Sequence, residues 1–176
     1  MTNEEGTIHN VSSEEAVGAI IHQWDISIKE NKNLVLGIPS DTQMKVFFRE
    51  FCNTLQLVDN AKESSLSTLF TVSIDGFLYP SHESSHRRSR FLRSNLWQCL
   101  HGISHSFDYH RQGFVLDSHL EEPEETIFFE EAVEEIGGFS AIILPEATVN
   151  SLPFKGVLAH FLENVPIYAI NDCKVI

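Results

Sequence analysis

Apolar residues follow two alternating patterns along this chain, one at helical spacing and one in short runs that are apolar throughout. A helix is predicted after Ser12, because Ser12 and Glu15 form a capping box. Its apolar stripe consists of Val17, Ile20, Ile21, Trp24 and Ile28. The next segment, "LVLGIP", is a continuous apolar run that predicts a buried strand.

The same alternation continues to the end of the chain. "SDTQMKVFFREFCNTLQ" predicts a helix that Ser40 and Asp41 can cap, and the segment from Phe91 to Ile103 predicts another. Further strands are predicted at "STLFTVSID", "QGFVLD", "FSAIIL" and "PIYAI", and further helices at "EEPEETIFFEEAVEEIGG" and "PFKGVLAHFLEN". Apolar strands separated by helices indicate a mainly parallel sheet covered on both faces. We therefore predict a three-layer α/β/α domain over residues 12–176, with a Rossmann-like sheet of about five strands, behind a flexible N-terminus at residues 1–11.

Composition narrows the classes of partner. The 176 residues are 42% apolar, enough for one core, and no run approaches the length of a membrane span. The N-terminus "MTNEEGTIHN" is acidic rather than signal-like, and three scattered cysteines suit a reducing compartment, so a cytoplasmic protein is expected. A net charge of −13 repels nucleic acid and anionic lipid, and neither is expected as a partner. Small ligands, a protein partner or a second copy of the chain stay open.

Two groups of histidines could suggest a metal. "HESSH", residues 82–86, matches the zinc-hydrolase pattern H-E-x-x-H, but Arg87, Arg88 and Arg90 follow it and would disfavour a dication. The second group is His101, His105 and His110 with Asp108, for which surface histidines at a helix end are the simpler interpretation. We predict no metal site, and a zinc-dependent hydrolase is the least favoured alternative.

Two longer stretches resemble the glucosamine-6-phosphate isomerase/deaminase family, which is related to the 6-phosphogluconolactonases. "SEEAVGAIIHQWDISIKENKNLVLGIPSDTQMKVFFREF" is similar to the family's opening helix, strand and helix. "TVSIDGFLYPSHESSHRRSRFLRSNLW" aligns without a gap on the family's second block, and "EEPEETIFFEEAVEEIGGFSAIIL" is similar to the segment that follows. The resemblance covers roughly residues 13–145. It implies that "HESSH" is a loop after a sheet strand.

The resemblance also implies roles for particular residues. Asp75 stands at the position of the carboxylate that moves a proton between C1 and C2 of the amino sugar, although it could equally cap the turn that follows. The phosphate cradle falls on Ser40, Asp41, Thr42 and Gln43, where Asp41 puts a negative charge. The cluster of Arg87, Arg88, Arg90 and Arg93, with Arg87 and Arg88 as the named candidates, could bind the phosphate, or it could form an exposed helix face paired with the glutamate-rich helix at 121–135.

The acid/base pair that opens the sugar ring is missing from the aligned positions. The family's histidine falls on Ser151 and its partner aspartate on Val149, and neither residue transfers a proton at neutral pH. We therefore expect a diverged relative of carbohydrate metabolism with a degenerate active site, impaired or no catalysis and no cofactor. A sugar phosphate is the implied ligand. A working isomerase or lactonase with other partners for Asp75, and a scaffold protein without catalysis, stay open.

Overall fold

Six parallel strands form the centre of the protein. The computed structural model describes residues 8–58, 65–74, 85–115, 131–150 and 165–173. The strands are β1 (Ile8–Val11), β2 (Leu34–Ile38), β3 (Leu69–Ser73), β4 (Gly113–Val115), β5 (Ala141–Pro145) and β6 (Ile167–Ile170). They lie in one sheet in the order β1-β6-β5-β2-β3-β4, and every described pairing is parallel.

Helices connect the strands, as crossovers between parallel strands require. They are α1 (Ser13–Lys29), α2 (Lys45–Leu57), α3 (Ser85–Leu92), α4 (Gln98–Ile103), α5 (Tyr109–Gln112) and α6 (Glu146–Val149). A 3-10 turn, Thr42–Met44, precedes α2, and another, Ser65–Thr68, precedes β3. A π-helical turn, Arg93–Trp97, joins α3 to α4, and residues 131–135 are also helical.

Both faces of the sheet are covered, which confirms the predicted three-layer α/β fold. One hydrophobic cluster packs the aromatic side chains of α1, α2 and the π turn, such as Trp24, Phe48 and Trp97, against the sheet. A second cluster joins Val133 to strand residues such as Val35 and Ile142 on the other face. All five residues of β2 are buried, because this central strand is covered on both sides.

The first strand differs from the prediction. Residues 8–11, assigned from the sequence to a flexible N-terminus, form the edge strand β1 and pair with β6, which brings the strands to six. The pattern missed β1 because it has only four residues and an edge position leaves three of them exposed.

Some predicted elements cannot be compared with the structure. The helix at 153–164 and the greater part of the helix at 121–138 lie outside the described residues. Within the described ranges, no helix is both long and apolar enough to cross a membrane.

Candidate functional site

The carboxyl ends of β2 and β5 mark the topological switch point of the sheet. The chain leaves β2 toward β3 and leaves β5 toward β6, in opposite directions, although β2 and β5 are neighbours. Ligands of open α/β sheets bind in the crevice that such a divergence creates. The loop after β2 contains Ser40 and Asp41 and continues into the 3-10 turn, which contacts β5. The predicted cradle therefore lies where the fold favours a ligand.

Asp41 closes this cradle from within. Its backbone is extended, with φ −111° and ψ 140°, and its carboxylate Oδ1 accepts a hydrogen bond of 2.9 Å from the Gln43 amide. The Thr42 hydroxyl is 3.5 Å from the same oxygen, while Ser40 is half-buried. An amide that a phosphate dianion could use at a helix N-terminus is thus already bonded to a carboxylate of the chain.

A second carboxylate caps α1 at the same end of the sheet. After β6 ends, Asp172 accepts hydrogen bonds from the Ser13 amide, at 3.0 and 3.1 Å to its two oxygens, and from the Ser13 hydroxyl at 2.8 Å. Ser13 is buried at 2% exposure. Because these bonds are charge-assisted, Asp172 fixes the end of β6 to the start of α1.

Both carboxylates act on Cys173. Burial, together with the negative charges of Asp172 and Asp41, raises the pKa of the Cys173 thiol to about 11. Asp41 follows β2 and Asp172 follows β6, so both lie at the carboxyl end of the parallel sheet. The carboxyl end of the sheet therefore carries the negative charges of two carboxylates. We call the group of Asp41, Asp172 and Cys173 the acidic end.

Asp172 and Cys173 are not among the site residues predicted from the sequence. A usable signal was present, because "NDC" directly follows the buried strand "PIYAI", and polar residues at the carboxyl end of a parallel strand face the crevice. Asp75 and Ser151 lie outside the described residues. Val149 is 4% exposed in α6 and packs in the second hydrophobic cluster, so the position that the resemblance assigns to an aspartate holds a core side chain.

The two arginines proposed to bind phosphate have different environments. Arg87 is exposed, whereas Arg88 is only 2% exposed, so the interpretation of the whole arginine group as an exposed face is wrong for Arg88. Both lie on α3, which contacts β4 and the π-helical turn.

Neither histidine group forms a metal centre within the residues that the structure describes. His82 and Glu83 lie outside the described residues, while Ser85 and His86 open α3, so the last two positions of "HESSH" are helical rather than loop. His101 Nδ1 lies 2.9 Å from the Phe107 carbonyl oxygen, and His105 Nδ1 lies 3.4 Å from His101 Nε2. Asp108 caps α5 through the His110 amide. Within the part of the chain that the structure describes, no three potential ligands are grouped to hold a metal ion.

Comparisons of the chain with protein-family models, curated proteins and solved structures found no match.

Proposed function

We propose that this chain is a diverged relative of the glucosamine-6-phosphate isomerase/deaminase family in which sugar-phosphate chemistry is impaired or lost. The observation that carries the proposal is the bond from the Gln43 amide to the Asp41 carboxylate, because it occupies the turn that the resemblance assigns to the phosphate. The buried Val149 at the position of the acid/base partner is further support.

The electrostatics of the turn point the same way. A charge of Asp41 about 5 Å from a phosphate costs on the order of 3 kcal/mol at an effective dielectric near 20. The helix dipole returns only about 0.3–1 kcal/mol. Asp172 adds negative charge at the same end of the sheet, so weak binding of hexose phosphates, in the millimolar range or weaker, is the expected behaviour.

A scaffold role without catalysis is the second candidate, and one observation favours it. At the acidic end, the carboxylates of Asp41 and Asp172 are both used to hold turns and helices of the chain itself. Oxygens that already accept hydrogen bonds from the chain have less capacity left for a substrate. A cytoplasmic location, and a protein partner or second copy, remain predictions from the sequence.

Enzyme activity gives the first test. Ammonia release from glucosamine 6-phosphate should not rise above background, since loss of an acid/base relay typically costs about 10²–10⁴-fold in rate. Robust turnover that disappears in Asp75→Asn would overturn the proposal of impaired catalysis and would show that another residue has replaced the histidine.

Calorimetric titration with glucosamine 6-phosphate gives the second test. Asp41→Gly removes both the charge and the internal cap and should tighten binding at least tenfold. Asp41→Asn removes the charge but keeps an oxygen that can accept from Gln43, so comparing the two variants separates repulsion from occupation of the amide. The control is Glu30→Gln, which removes one negative charge at the C-cap of α1, the end of that helix far from Ser13 and Asp172. Equal affinities in wild type and Asp41→Gly would mean that this turn does not face a phosphate site.

A further inference from the structure

A concave site lies at the edge of the sheet that β4 forms, away from the switch point. It is an open pocket of about 380 Å³ between β4, the α3 and π-helical segment, and α5. Arg93, Trp97, Tyr109, His110 and Gly113 contribute to its lining. β3 separates β4 from β2, so this edge pocket is distinct from the switch point.

Two stacked aromatic residues lie at the pocket, the nearly buried Trp97 behind the half-buried Tyr109. The ring centroids of Trp97 and Tyr109 lie 5.6 Å apart, with an interplanar angle of 5°. The Trp97 indole N–H donates to the Thr71 hydroxyl at 2.9 Å, which fixes the ring against β3. Gly113 leaves room for the indole, since an added Cβ would come within 2.6 Å of Trp97 Cζ2. The aromatic surface is therefore preorganised by bonds and packing.

A guanidinium group lies at the mouth of the pocket. Arg93 is exposed, and its Cζ lies 5.0 Å from the centroid of the Tyr109 ring. Within the described residues, no carboxylate forms an ion pair with Arg93. The N–H groups of a guanidinium lie in the plane of that group, so a guanidinium next to an aromatic ring can still bind an oxyanion through two parallel hydrogen bonds.

The backbone that carries these groups is unusual. Arg93 and Trp97 are the first and last residues of the π-helical turn, and both line the edge pocket. π-Helical turns inside α-helices are rare and are frequent at functional sites. Here the turn brings a charged and an aromatic side chain to one concave surface.

We propose that the edge pocket binds a small molecule in which an oxyanion, a carboxylate or a phosphate, is attached to a flat ring. Arg93 binds the oxyanion, and the ring packs against the Tyr109 and His110 side chains that line the same pocket. The volume is at the lower end of the range for small-molecule sites, about 300–1,000 Å³, and so suits a ligand of this size. The proposal does not depend on the function assigned to the acidic end, because the two sites share no residue.

Two probes distinguish the source of the oxyanion. Adenosine 5′-monophosphate presents a phosphate with a flat base, and indole-3-acetate presents a carboxylate with a flat ring. Calorimetry should detect binding of at least one, and inorganic phosphate or adenosine alone should bind at least tenfold more weakly. Binding of one probe identifies the preferred oxyanion. Failure of both probes to bind at millimolar concentration overturns the proposal.

Variants locate the binding. Arg93→Gln should weaken the better probe at least tenfold, and Arg93→Lys, which keeps the charge but loses the planar donor pair, should give an intermediate affinity. Arg111→Gln is the matched control, because Arg111 is an exposed arginine of α5 that does not line the pocket. Circular dichroism confirms that each variant is folded. Equal losses in Arg93→Gln and Arg111→Gln would show nonspecific attraction of anions and would overturn the assignment.

Discussion

The acidic end and the edge pocket of this protein use their charged groups in opposite ways. At the acidic end, the carboxylates of Asp41 and Asp172 are bonded to amides of the chain itself. At the edge pocket, Arg93 is held by the face of Tyr109 and its hydrogen-bonding edge is not paired with a described carboxylate. The first arrangement stabilises turns between strands and helices, and the second leaves binding capacity for a partner from solution.

This difference separates position in the fold from availability of groups. The switch point is where an open α/β sheet normally binds ligands, yet in this protein the carboxylates of the acidic end repel anions from it. The edge pocket lies away from the switch point but combines a fixed aromatic surface with a cation, in a chain whose net charge is −13. In this protein, the availability of polar groups for new hydrogen bonds is therefore a better criterion for a ligand site than position in the sheet alone.

The largest contrast between the regions is expected from two glycines. A Cβ on Gly113 would lie 2.6 and 2.7 Å from two atoms of the Trp97 ring, which is fixed by its bond to Thr71. A Cβ on Gly37, in β2 near the switch point, would meet Ile142 Cγ1 at 2.9 Å and the Phe139 ring at 3.1 Å. Gly113→Ala should lower the free energy of unfolding by about 1–3 kcal/mol, and Gly37→Ala by less, because an isoleucine side chain can shift more easily than a packed indole.

Chemical denaturation of both variants measures the contrast. Gly113→Ala should also weaken the better probe of the edge pocket, while Gly37→Ala should leave that affinity unchanged. A larger loss of stability in Gly37→Ala would show that the β2–β5 junction is the more tightly packed region and that the indole has room to move.

The sequence predicted the layers of this fold better than its sites. Continuous apolar runs such as "LVLGIP" identify buried strands because both faces of a central strand are covered. The edge pocket is lined by Trp97, Tyr109 and Gly113 and supported by Thr71, residues up to 42 positions apart, and no local pattern records their proximity. The burial of Arg88 could not be predicted from the sequence either. Arg88 stands beside Arg87 and Arg90, which are exposed, and nothing in the sequence distinguishes the three arginines. The cap of Asp41 could be anticipated, since an aspartate before a helix commonly bonds to the amide two residues later.

A smaller effect is expected at the cap of α1. Asp172→Ala leaves the amide and hydroxyl of the buried Ser13 without their acceptor and should cost about 1–2 kcal/mol of stability. Asp41→Ala, which removes the cap of a three-residue turn, should cost about 0.5–1 kcal/mol. Denaturant unfolding of both variants compares the two caps. If Asp172→Ala is as stable as wild type, this carboxylate is not fixed to Ser13 and could serve a ligand instead.

The smallest effect, a several-fold change in rate, tests whether the two carboxylates of the acidic end converge. Burial, with the charges of Asp172 and Asp41, raises the pKa of Cys173 from 9.0 to about 11. At a pH of about 8 the thiolate fraction then falls from about one in ten to about one in a thousand, so alkylation by iodoacetamide should be about 100-fold slower than in the unfolded chain.

Asp172→Asn and Asp41→Asn each remove one repelling charge, so each should lower the pKa of Cys173 and accelerate its alkylation several-fold, with the larger change in Asp172→Asn. Glu30→Gln should leave the rate unchanged. Mass spectrometry of the peptide that contains Cys173 separates this thiol from Cys52 and Cys99. The unfolded chain loses the Cys173 proton near pH 9, whereas the folded chain keeps it up to about pH 11. The contribution of the protonated Cys173 thiol to stability should therefore be present below a pH of about 9 and be lost as the pH rises through about 11. If only Asp172→Asn changes the rate, the loop after β2 does not approach β6, and the charge at the switch point comes from Asp41 alone.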